Sequence, residues 1–175
     1  ASHNLSSSMS GYSETKKHFS TVLNSRNGYA SRSTGKSVTD LLELFGQYTK
    51  SINNHNIVGL LGYSWQNDKY ESFSMTNFDF PSDLYSYNNM STGQALKRGE
   101  ASMSSYKQET KLIGYFFRIN YDYANKYLLM MSMRREGSSK FGKDHKWGNF
   151  PAVSVGWNIK NEQFMSDIDF ISSLK

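Results

Sequence analysis

LIGYFFRINYDYANKYLLMMSMRREG, residues 112–137, decides the fold. Alternate residues place Ile113, Tyr115, Phe117, Ile119, Tyr121 and Tyr123 on one side, and Gly114, Phe116, Arg118, Asn120 and Asp122 on the other. A period of two is the mark of a β-strand with one dry and one wet face, and Phe116 alone breaks it. After Ala124–Lys126 the alternation resumes, with Tyr127, Leu129, Met131 and Met133 facing Leu128, Met130, Ser132, Arg134 and Glu136. The stretch is therefore a hairpin, with a turn at 124–126.

Outward from it, WGNFPAVSVGWNI (147–159) lines Trp147, Val153, Val155, Trp157 and Ile159 on one face, against Gly148, Ala152, Ser154, Gly156 and Asn158. Pro151 falls on the apolar side and predicts an edge, a bulge or an interrupted ladder. Upstream, VTDLLELFGQYTKSI reads as a strand through Leu42, Leu44 and Tyr48, and Asn53-Asn54 as a turn. HNIVGLLGYSWQN then returns through Ile57, Leu61, Tyr63 and Trp65, and a weaker strand is expected near HFSTVLNS. The Ser-rich start and the polar-aromatic tract 68–105 read as low-complexity, and NEQFM as one helical turn. The fold class is all-β, an antiparallel meander of about six to seven strands.

The connections alternate in length: long at 26–37, short at 53–54, very long at 68–105, short at 124–126, long at 137–146 and medium at about 160–172. In a meander this gathers long loops at one end and short turns at the other, as in outer-membrane barrels. Composition agrees. Twelve Tyr, eleven Phe and three Trp among 175 residues favour strands and the water–lipid boundary. The mean hydropathy of −0.65 excludes a helical membrane protein, and no run reaches the ~18 apolar residues of a spanning helix. Barrel strands, by contrast, average out to the hydropathy of a soluble protein. The net charge of +5 is scattered, without the basic stripe of a nucleic-acid binder. There is no cysteine, hence no disulfide within this stretch. The start lacks an initiator Met and an apolar signal core, so the chain is read as a segment of a longer protein.

The faces assign roles. Tyr121, Tyr123 and Tyr127 gather at the short turn and Trp157 near the next one, while Trp147 and Trp65 stand at the long-loop end. Phe117, Leu129, Met131 and Val153 lie between them. Amphipathic aromatics at both rims with hydrocarbon between suit a bilayer, so Tyr121, Tyr123, Tyr127, Trp147 and Trp157 are the membrane-interface candidates. Arg118, Asn120, Asp122, Arg134 and Glu136 then face a lumen, chiefly as cross-strand structural rows. Phe73, Phe78, Phe80, Tyr85 and Tyr87 in the 68–105 tract are candidates for stacking on a ligand or a partner; alternatively they pack the loop against itself. No nucleophile elbow, P-loop or metal-spaced histidine cluster is present. His3, His18, His55 and His145 are isolated and read as solvated or turn residues, so no catalytic or metal site and no cofactor is expected.

The same motifs resemble the SusC/RagA type of TonB-linked outer-membrane proteins of Bacteroidota. Tyr121, Asp122, Tyr123, Lys126, Tyr127, Leu128 and Leu129 stand at matching places, as do Arg135, Gly137, Ser138, Ser139, Phe141 and Gly142. Trp147, Gly148, Phe150, Pro151, Gly156, Trp157, Glu162, Phe164 and Met165 complete the set, with Glu136 for the usual Asp and Lys140 for the usual Arg. The resemblance implies that residues 1–175 are part of one 22-stranded transmembrane barrel whose plug lies outside this segment, with 68–105 an extracellular loop. It also implies import of oligosaccharides or peptides across a Gram-negative outer membrane. The implied partners are the TonB complex, a SusD-like surface lipoprotein and outer-membrane lipid. A soluble or surface-attached β-sheet module that binds glycans without transport is the alternative. A wedge of barrel made alone is expected to self-associate in water through its unpaired edges.

Overall fold

The computed structural model describes residues 1–166, 168 and 170–175. Six strands join one sheet in chain order: β1 (Ser2–Glu14), β2 (Tyr29–Ile52), β3 (His55–Phe78), β4 (Ser102–Tyr123), β5 (Tyr127–Ser138) and β6 (Trp147–Trp157). Two short helices, α1 (Phe19–Leu23) and α2 (Gln94–Lys97), lie in the connections. The meander is the one expected, with six strands, and its connections alternate long and short.

Strand length is where the structure departs from expectation. β2 and β3 each run 24 residues and β4 runs 22, about twice the ~10 that a tilted membrane strand needs. The tract 68–105, read as a loop, is strand at both ends: β3 continues to Phe78 and β4 begins at Ser102. The Ser-rich start is β1, and β2 already begins at Tyr29, within the connection expected at 26–37. These extensions lack apolar alternation because they are held mostly by hydrogen-bonded neighbours, and only a few of their side chains, such as Ala30 and Met75, reach a core. HFSTVLNS is a helical turn instead of a strand. The His18 ring accepts from the Ser20 N–H at 3.3 Å, and the Thr21 hydroxyl lies 2.6 Å from the Thr15 carbonyl and 2.8 Å from that of His18. The helical turn at NEQFM is present as a 3-10 turn, Gln163–Met165, after another at Ile159–Asn161. Of the turn expected at 160–172, residues 167 and 169 lie outside the described residues.

The chain forms two compact units. The first comprises Leu41–Asn67 and Thr110–Lys175, and the second Ser2–Asp40 and Asp68–Glu109. In the first unit the register joins the apolar faces of three strands into rows. Met133 stands between Phe117 and Pro151, Met131 between Ile119 and Val153, and Leu129 between Tyr121 and Val155. Tyr123, Tyr127 and Trp157 form the last row. Pro151 is tolerated in β6, the terminal strand of the six. The β4–β5 turn is tight because Ala124 and Asn125 both take φ of 55°, with the Asn125 N–H donating to Asp122 at 2.9 Å.

These rows are not covered. Val155 is 80% exposed, Leu61 69% and Val153 67%. Among the described residues the buried apolar side chains are Ala30, Phe80, Met90, Ala95 and Met165, and only Met165 belongs to the first unit. A soluble sandwich closes a second layer over such a face; a barrel wall leaves it to lipid. The second unit has its own core, in which Ala30, Phe80 and Met90 cluster with Met75 and Tyr87 packed against them.

Candidate functional site

The apolar face of the first unit carries an aromatic band at each end. At the short-turn end the rings of Tyr123 and Tyr127 stack at 6.3 Å and 20°, and those of Tyr127 and Trp157 at 6.4 Å and 14°. His55, expected to be a solvated turn residue, joins this band. Its ring lies 5.9 Å from Tyr121 and 4.8 Å from Tyr123, and its Nδ1 is 2.7 Å from the Tyr121 hydroxyl. At the other end Trp147 stacks on Tyr115 at 6.3 Å, and Tyr115 meets Tyr63 at 5.4 Å. Trp147 and Trp157 are the first and last residues of β6. At about 3.4 Å per residue they stand about 34 Å apart along the strand, which a tilt of about 45° would reduce to the height of the ~25 Å apolar band of outer-membrane barrels.

One carboxylate pins the short-turn band. Glu162 accepts from Lys126 Nζ at 2.8 Å, Tyr127 Oη at 2.7 Å and Trp157 Nε1 at 3.1 Å. The Lys126 hydrogen bond first, then those of Tyr127 and Trp157, hold its carboxyl at about 2, well below the ordinary 4.5. The same bond to Glu162 raises the Lys126 ammonium above its ordinary value. Sequence reading had Glu162 only as a family match. Its partners lie 36, 35 and 5 residues away, and no periodicity joins them.

The opposite face collects the polar candidates. Arg118 stands opposite Ser132, Asn120 opposite Met130, and Asp122 opposite Leu128. Arg134 donates to Glu136 at 3.1 Å within its own strand. Asp122 serves the turn and also accepts from Asn56 Nδ2 at 3.4 Å, so it is structural. Arg118 and Asn120 are exposed, and Arg118 makes no ion pair among the described residues. Phe116, the residue that broke the alternation, has a place prepared for it: its ring lies where a Cβ on Gly62 would be. A glycine is required there by close approach.

In the second unit the five aromatics expected in a loop divide, with Phe73 and Phe78 lying in β3 and the other three beyond it. Phe80 is in the core at 5% exposure, Tyr87 packs against that core, and Phe78 lies beneath the Arg26 guanidinium at 4.3 Å. Phe73 and Tyr85 remain exposed. The cluster is braced by polar pins. Asn77, fully buried, donates to the Met90 and Gly93 carbonyls at 2.7 and 3.0 Å and accepts from the Phe78 and Leu96 N–H groups at 2.9 and 3.1 Å. Asp79 takes the Asn27 N–H at 2.7 Å and pairs with Arg98. Burial works to raise the Asp79 carboxyl, but the Asn27 N–H and the Arg98 guanidinium outweigh it and hold the group below its ordinary value.

An exposed apolar face between two aromatic bands, backed by a polar face, defines a piece of transmembrane β-barrel wall. No family model matches the chain. It is 38% identical over 135 residues to TonB-dependent receptor P39 of Formosa agariphila, across 76% of this chain and 12% of the relative. It is 44% identical over 72 residues to TonB-dependent receptor SusC of Bacteroides thetaiotaomicron, across 41% of this chain and 7% of the relative. The structure of the RagAB peptide transporter matches with a TM-score of 0.80 at 18% identity, covering 91% of this chain and 17% of that one. The chain thus spans no more than about an eighth (7–13%) of the curated relatives it matches. It belongs to the SusC/RagA type of TonB-dependent transporters, as a segment of the barrel.

Proposed function

We propose that residues 1–175 form wall and outer loops of a 22-stranded outer-membrane barrel that imports oligosaccharides or peptides. The observation that carries this reading is the pair of aromatic bands flanking an uncovered apolar face, with Arg118, Asn120, Arg134 and Glu136 on the other side. Tyr121, Tyr123, Tyr127, Trp147 and Trp157 sit at the membrane interfaces, and the polar row faces the lumen. Energy arrives through TonB, and a SusD-like surface lipoprotein closes the outer mouth. The names of the relatives, TonB-dependent receptors, support this role. A solved neighbour described as a peptide transporter keeps peptides among the candidate cargoes. Of the five aromatics of 68–105, Phe73 in the last part of β3 and Tyr85 beyond it are the exposed ones, available to a ligand or the lipoprotein.

The test is sidedness. In the full-length protein in intact cells, single cysteines at Ser139 and Asn125 are exposed to a membrane-impermeant maleimide. Labelling at Ser139 and not at Asn125 is expected. Equal labelling at both means that the sheet does not cross a membrane, and the glycan-binding module becomes the better reading.

A further inference from the structure

Two arginines follow one another in β5 and meet opposite environments. Arg134 is paired with Glu136 on the polar face. Arg135, on the apolar face, is exposed and makes no ion pair among the described residues. It stands between Tyr115 and Asn149 in register, and its guanidinium lies 5.1 Å from the centre of the Trp147 ring. The other band of the same face treats its cation differently, because Lys126 is neutralised by Glu162. The long-loop rim therefore presents an open guanidinium where the short-turn rim presents a closed pair. The adjoining connection 139–146 adds three lysines against one aspartate.

A guanidinium on a lipid-facing surface is costly at mid-bilayer and much less so near the headgroups. At the aromatic band it is tolerable, and it becomes favourable where an anion meets it. An Arg held over an indole ring as a cation–π partner, with no carboxylate to accept from it, has its N–H fork available, and that fork matches a phosphate. Hydrocarbon below and basic residues above leave one occupant that fits both. We infer that Arg135 and Trp147 form a docking site on the outer wall for the phosphorylated headgroup of an outer-leaflet glycolipid, with its acyl chains lying along Met133, Met131 and Val153. The inference rests on the reading of that face as lipid-facing.

The test uses the full-length transporter in detergent, incubated with monophosphoryl lipid A and weighed by native mass spectrometry. Wild type is expected to retain the lipid. Arg135→Gln should retain about fivefold less, in line with the worth of one basic residue at a charged lipid surface. Arg135→Lys should recover part of the loss, and heat-modifiable gel mobility shows that each barrel is folded. Unchanged retention in Arg135→Gln overturns the site, as does displacement of the lipid by millimolar inorganic phosphate, which would make it a site for a free anion. A cysteine at Val153, probed with a water-soluble maleimide after reconstitution into liposomes, separates the two failures. If it is shielded while retention is unchanged, only the Arg135 assignment falls. If it is labelled, the lipid-facing reading itself falls.

Discussion

The Tyr127 phenol and the Trp157 indole both donate to Oε1 of Glu162, at 2.7 and 3.1 Å. Two stacked rings on neighbouring strands thus share one carboxylate, which also holds the Lys126 ammonium. The arrangement ties the end of β6 to the β4–β5 turn.

A pH dependence follows. The Glu162 carboxyl sits at about 2 when folded, against an ordinary 4.5. A group depressed by folding stabilises fully above its unfolded value and loses that contribution as pH falls through its folded one. The full-length barrel should therefore weaken from about pH 4.5 toward pH 2, read as a falling temperature for loss of heat-modifiable mobility. Glu162→Gln should be less stable at neutral pH and show a flatter profile across that window. A variant with the wild-type profile would mean that the carboxylate does not hold the band.

The two faces of β6 predict opposite tolerance. Val153→Arg, near the middle of the apolar row, should cost about 2–4 kcal/mol in the membrane. The neighbouring Ser154→Arg, on the polar face, should be tolerated. Yield of folded full-length protein in the outer membrane distinguishes them, and equal loss in both would contradict the assignment of faces.

Gly62 and Phe116 should be coupled. Gly62→Ala places a methyl group where the Phe116 ring lies, and overpacking of this kind costs about 1–3 kcal/mol. Combining it with Phe116→Ala should recover much of that loss, so the double variant should be more stable than the sum of the two singles. Simple additivity would place the ring elsewhere.

Asn77 should decide whether the loop cluster stays closed. Its side chain satisfies four backbone groups from within the core. Asn77→Ala leaves them unpaired at a cost of about 1–3 kcal/mol, and Asn77→Asp also sets an acceptor against the Met90 and Gly93 carbonyls. Both should make 79–101 susceptible to protease in intact cells while the barrel keeps its gel mobility. Resistance in both variants would assign the bracing to other contacts.

The wall was readable in the sequence and the loops were not, for a physical reason. Residues 113–123, 127–137 and 147–157 each bury or expose one face against a uniform medium, so side-chain polarity repeats every second position. β1 and the parts of β2–β4 in the second unit are held mainly by backbone pairing, with only scattered side chains such as Ala30 and Met75 at a core, and this imprints no period. Phe80 and Phe73 are both aromatics in one polar tract, yet one is core and the other exposed; only the fold of the tract separates them. Glu162 and His55 were missed as partners because their contacts lie mostly far along the chain.

The core of Ala30, Phe80 and Met90, pinned by Asn77 and Asp79, gives the long connections an internal scaffold of their own. Sequence change there is cushioned, because the side chains that hold this cluster together are not those that register β4 with β5 and β6. The connections can therefore change in sequence around that core while the three-strand register of β4–β6 is inherited unaltered.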